Sequence, residues 1–174
     1  MKKNKKKLSG LTLEANKPIK VDFTLSKLEY VNRLLSEGNL EDAENAAKQI
    51  ENSGTKLSDV FNAYLEKNDF RRAEIALNVA SVLYSTACYY LGVFHVTGVA
   101  EAGFDYDIAE RHFGHAALGG CVKGAYWVAM LHKYGFVKNA DQSIASDFLN
   151  YVRKNDPDGE IEREEEEHFK QIMF

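Results

Sequence analysis

A chain of 174 residues fits one domain of ordinary size, and 45% apolar with 28% charged residues describes a foldable globule, neither disordered nor collagen-like. No apolar run nears the roughly 18 residues of a membrane span, the basic start MKKNKKKLSG has no hydrophobic stretch behind it to make a secretory signal, and two cysteines are too few for a disulfide framework, so a reducing cytoplasm is the expected compartment. The net charge of −4 conceals an asymmetry, +6 on residues 1–20 and −6 on residues 156–174; positive charge on a tail and not on the folded body argues against nucleic acid as the main partner.

In chain order, the Lys-rich segment 1–20 lacks periodicity and reads as a disordered basic tail, leaving 21–174 as a single all-α domain. Four helical hairpins then follow, at about 24–52, 56–80, 82–118 and 121–154. The second helix of each carries one pattern: GNLEDAENAAKQI (38–50), NDFRRAEIALNVA (68–80), FDYDIAERHFGHAA (104–117) and ADQSIASDFLNYV (140–152). They align on Ala43, Ala73, Ala109 and Ala145, and four positions earlier stand Asn39, Asp69, Asp105 and Asp141, each suited to cap a helix N-terminus. Glu44, Glu74 and Glu110 follow the alanine in three of the four. The first helices of the last two hairpins also align, ACYYLGVFHVTG (87–98) with GAYWVAMLHKYG (124–135), so that Gly92 meets Ala129 and His95 meets His132. Gly38 and the Asn68–Asp69 pair predict tight turns in the first two hairpins, and Thr97–Phe104 a longer loop in the third. A last helix, about 157–173, is expected after Asp156–Pro157. Its glutamate-rich surface and narrow apolar face of Ile161, Phe169, Ile172 and Met173 suit a cap on an open stack end.

The two C-terminal hairpins, about 82–153, resemble Sel1-like repeats. Ala87, Tyr89, Leu91, Gly92, Gly98, Asp105, Ala109, Ala116, Ala117 and Gly120 fill the first copy, with His95 where that family prefers tyrosine. Tyr126, Ala129, Gly135, Asp141 and Ala145 remain in the second, whose double alanine becomes Tyr151–Val152. The hairpins before them, about 25–80, are similar to tetratricopeptide repeats. The resemblance implies a right-handed αα superhelical solenoid whose concave face binds another protein, and it implies no catalytic residues or cofactor.

Few residue constellations suggest chemistry. His112 and His115, three apart on one helix face, could share a metal and define a metal-dependent enzyme as an alternative, although the slot of His112 is filled by Ala76 and Phe148 in sister repeats. His95 and His132 read either as a stacked pH-sensing pair or as packing rings. Cys88 and Cys121 read as small fillers, and Glu164–Glu167 as a solvated face. One feature exceeds what the scaffold needs: Tyr90 and Phe94, matched one repeat later by Trp127 and Leu131, with Tyr64 extending the stripe. Either the stripe is a protein-binding surface, which requires partial exposure, or these rings pack between neighbouring first helices. The expected function is a non-enzymatic module for a dedicated protein partner: an immunity-type inhibitor of a bacterial toxin, or a chaperone or adaptor for a secreted protein. An acidic body would suit a basic toxin.

Overall fold

Each hairpin is delimited by local chemistry. The computed structural model describes residues 22–174, with side chains from residue 25 onward; the segment 1–20, read above as a disordered tail, lies outside the described residues. Those residues form nine helices and no strand: α1 (Asp22–Ser36), α2 (Leu40–Asn52), α3 (Leu57–Glu66), α4 (Phe70–Ser81), α5 (Ser85–Thr97), α6 (Tyr106–Leu118), α7 (Val122–Lys133), α8 (Gln142–Asn155) and α9 (Glu160–Met173). None of them is long and apolar enough to cross a membrane.

Asn39, Asp69, Asp105 and Asp141 all stand at helix N-caps. The three aspartates accept backbone N–H groups, from Arg72 at 3.2 Å, Ile108 at 2.8 Å and Ser143 at 2.7 Å, satisfying donors that the first turn leaves free. Asn39 instead turns its amide to Glu37. The first two hairpins share one turn: Gly38 and Asn68 both sit at positive φ, 78° and 56°. The next backbone N–H then reaches back to Leu34 in one and Tyr64 in the other, at 2.9 Å in both. Asparagine tolerates the left-handed conformation that glycine adopts freely, so both residues stop a helix the same way.

The last helix begins later than Asp156–Pro157 suggests. Asp156 does cap it, accepting Glu160 N–H and Glu162 N–H through its two oxygens. But a turn through Gly159, at φ 62°, intervenes, and the first helical residue is Glu160.

Consecutive helices pack from α3 to α8, giving an all-helical, repeat-like array. The N-terminal hairpins depart from strict succession, because α1 and α2 lean on α4. Successive hairpins are tied through their loops. Glu74 on α4 accepts the Glu101 N–H at 2.6 Å, and Asp107 on α6 accepts the Lys138 N–H at 2.9 Å. Burial lifts the Glu74 carboxyl above the ordinary range, the Glu101 backbone hydrogen bond lowers it, and the nearby Glu101 charge raises it further.

Two close helix–helix approaches centre on Phe113 of α6. A Cβ at Gly92 of α5 would stand 2.5 Å from its ring, and one at Gly124 of α7 would stand 2.8 Å from its carbonyl oxygen. Both glycines let neighbouring helices close on α6. Gly92→Leu should therefore cost about 1–3 kcal/mol or more of stability. Urea unfolding measures it, and an unchanged midpoint would show that α5 and α6 do not meet in this register.

Candidate interaction site

The five residues that the sequence singles out as a surface are mostly interior. Tyr64, Phe94, Trp127 and Leu131 are buried, Trp127 completely at 0% exposure, and Tyr90 is half-buried. They pack between helices, the other alternative that their spacing allowed. Phe61 of α3 meets the rings of Tyr90 at 5.8 Å and Phe94 at 6.1 Å, while Trp127 stacks on Phe113 at 5.0 Å and meets Phe169 of α9 at 5.1 Å. The requirement of exposure is not met, because α3 lies against α5 and α9 covers α7.

What covers Trp127 is the main departure from the sequence reading. Within the glutamate run, Glu165 is not solvated; it is 1% exposed. Trp127 Nε1–H donates to Glu165 Oε2 at 2.7 Å, and the Tyr89 hydroxyl donates to the same oxygen at 2.8 Å. Lys123 Nζ lies 3.3 Å from Oε1 and also pairs with the exposed Glu164 at 3.0 Å. His168, one turn along α9, places Nδ1 3.7 Å from Glu165 Oε2 and 3.4 Å from the Tyr89 hydroxyl. Burial opposes ionisation of Glu165, but the neighbouring His168 imidazole, the hydrogen bonds from Tyr89 and Trp127 and the Lys123 charge outweigh it and hold the carboxyl below its ordinary range. Burial, then the Glu165 charge, pushes the Tyr89 hydroxyl far up. Glu165 therefore stays a carboxylate and Tyr89 a donor at neutral pH. A periodic reading of α9 puts Glu165 four residues before Phe169, on the apolar stripe; that offset was the available signal.

The histidines divide. His132 is buried, takes the Asp141 backbone N–H on Nδ1 at 3.1 Å and sets Nε2 3.4 Å from Glu110. In the equivalent position His95 is buried too, but the Asp105 N–H goes to its backbone carbonyl, and His95 Nδ1 has no partner. Its ring stacks on His112 at 5.4 Å. Desolvation holds His95 below the usual histidine range. Desolvation, then the His95, His115 and Arg111 charges, takes His112 down to about 4. His115 on the same helix is exposed. Among the described residues, no three His, Cys, Asp or Glu side chains converge as metal ligands. Cys88 and Cys121 are free thiols, raised by burial.

Besides a groove of about 260 Å³ between α1 and α2, lined by Tyr30, Val31, Ala46 and Ile50, two open grooves lie in the C-terminal half. One, of about 210 Å³, runs between α6 and α8, is lined by Ala117, Leu118, Phe148 and Tyr151 with Asp147 at its edge, and leaves Leu118 87% exposed. The other, of about 480 Å³, lies where α7, α8 and α9 meet, among Tyr126, Met130, Leu149, Arg153, Phe169 and Lys170.

Two outcomes follow. Trp127→Ala should cost about 3–5 kcal/mol of folding stability, as for a large core side chain, and the emission of the wild-type tryptophan should already be blue-shifted in the free protein; red emission would contradict its burial. His95 and His112 stay neutral in the fold but bind protons below about pH 6.5 when unfolded, so stability should fall as pH drops from about 6.5 toward 4. Glu165, with its depressed value, keeps its contribution until the pH falls below the ordinary carboxyl range. Denaturant midpoints between pH 7 and 5 check the slope, and His112→Phe should flatten it. No protein-family model, curated protein or solved structure matches this chain.

Proposed function

We propose that the chain is a Sel1-like αα solenoid that binds a dedicated protein partner and performs no catalysis itself. The observation that carries this reading is the α6–α8 groove, an apolar channel whose rim residue Leu118 is 87% exposed. A large apolar side chain so exposed beside further apolar lining is costly on a soluble surface and typical of an interaction site. The repeated ties from Glu74 and Asp107 to the following loops support a regular stack of hairpins, the architecture that presents such grooves in series.

Charge supports the most specific form of the reading, an immunity-type inhibitor of a toxin. The total of −4 and the +6 of residues 1–20 leave −10 for residues 21–174. A body of that charge accelerates association with a basic protein and orients the encounter, while the apolar groove supplies the desolvated contact.

Leu118→Asp tests it. The substitution alters an exposed side chain and should leave the unfolding midpoint within about 0.5 kcal/mol of wild type. Against a partner recovered with the wild-type protein, it should weaken binding by about 2 kcal/mol or more, as for an interface anchor. Undiminished affinity would remove the groove from the interface.

A further inference from the structure

A helix that only closes the end of a stack needs an apolar inner face and a polar outer one. Helix α9 has more: a carboxylate at the centre of its inner face, met by an indole N–H, a phenol O–H and an ammonium that all belong to the array beneath it. An apolar side chain of similar size at position 165 would close the end without burying a charge, since buried ion pairs seldom exceed apolar packing in stability and are best attested where they set register or partner choice. The three donors come from two elements, Tyr89 on α5 and Lys123 and Trp127 on α7, and converge on one carboxylate. With α9 lifted away, Tyr89 and Trp127 would donate to water, and a replacement that covers them again must bring an acceptor or bury both donors unpaired.

The contact is also bounded. Helix α9 packs on α7 and more lightly on α5, and it reaches the array through the short turn Asp156–Gly159. Beside it the 480 Å³ groove separates α9 from α8, which the Arg153–Glu162 ion pair bridges at 4.0 Å. Phe174 at its end is 81% exposed. The helix is anchored by one polar centre, by the buried Phe169 and Ile172, and by ring contacts of Phe169 and Phe174 with Tyr134 and Phe136. Few contacts, a hinge at one end and a cleft along one side are the features of a segment that opens locally.

We propose that Tyr89, Lys123 and Trp127 form a carboxylate-reading seat for an amphipathic helix, that α9 is its resident occupant, and that a partner helix with a glutamate followed four and seven positions later by an aromatic and an aliphatic residue takes its place. The spacing is that of Glu165, Phe169 and Ile172. Only one carboxylate is required, so the rest of the partner is free to be basic, as the net −4 of residues 21–155, the array beneath α9, favours. The proposal rests on the reading of the chain as a protein-binding module but uses a different face from the α6–α8 groove.

Hydrogen exchange on the wild-type chain comes first. Amides of α9 should exchange at least tenfold faster than those in the middle of α5 and α7; equal protection would make α9 an integral part of the core and overturn the proposal. The second measurement adds a labelled peptide of residues 156–174 to the full chain and to its Glu165→Ala variant. The variant should bind the peptide at least tenfold more tightly than wild type, and the Glu165→Gln peptide should lose at least tenfold of that affinity. A folded variant that ignores the peptide, or that does not distinguish the two peptides, overturns the seat. A variant that fails to fold leaves the exchange result to decide. A wild-type dimer abolished by Glu165→Ala would assign the seat to α9 of a second copy and overturn the partner assignment. Loss of partner binding in Leu118→Asp together with failure here would leave the module standing and remove only the seat.

Discussion

The ring of Phe113 sets the spacing of the C-terminal half. It fills the space that Gly92 leaves on α5, stacks its outer side on Trp127 of α7, and lies 5.9 Å from Tyr89. Gly124 brings α7 against the Phe113 backbone in the same way. Three helices are thereby held at contact distance around one aromatic ring, with no room for a larger side chain at either glycine. The positions of Tyr89 and Trp127 follow from this contact. Each touches Phe113 with its ring and directs its polar atom away from α6, toward the ground that α9 covers.

Glu165 answers those two polar atoms. An indole N–H and a phenol O–H buried without acceptors would each carry a desolvation cost of about 1–3 kcal/mol. One carboxylate oxygen takes both, and Lys123 neutralises the other oxygen from the edge. Burial alone would drive this carboxyl toward its neutral form; convergent donors keep it ionised. The same rule run the other way explains His95 and His112, which are buried beside one another and pushed toward the neutral form. Among the described residues, Glu165 is thus a buried charge with its donors supplied, while His95 is a buried histidine with a nitrogen left over.

Repetition in the sequence did not guarantee identical use of equivalent positions. His95 and His132 align, yet only His132 receives the backbone N–H of its cap aspartate. His95 stands ten residues before Asp105 and His132 nine before Asp141, and the backbone N–H of Asp105 meets the His95 carbonyl instead. Likewise Glu74 and Glu110 follow equivalent alanines, but one accepts a loop N–H and the other faces an imidazole.

The sequence by itself determined the helices, the three capping aspartates Asp69, Asp105 and Asp141, and the pairing of neighbours into hairpins. These depend on contacts within about four residues: Asp105 to Ile108 N–H, or the left-handed Asn68 that ends α3. Periodicity also marked Tyr64, Tyr90, Phe94, Trp127 and Leu131 as large side chains of one face, because spacing along a helix fixes which residues share a side. Whether that side meets water is not a local property. Only the tertiary structure decided that Phe61 of α3 meets Tyr90 and Phe94 and that α9 covers Trp127, since Trp127 meets its acceptor 38 residues away and Tyr89 the same acceptor 76 residues away. For the same reason Glu165, one of four consecutive glutamates in the chain, became the buried one: only at its position on the helix do three donors from two other helices converge.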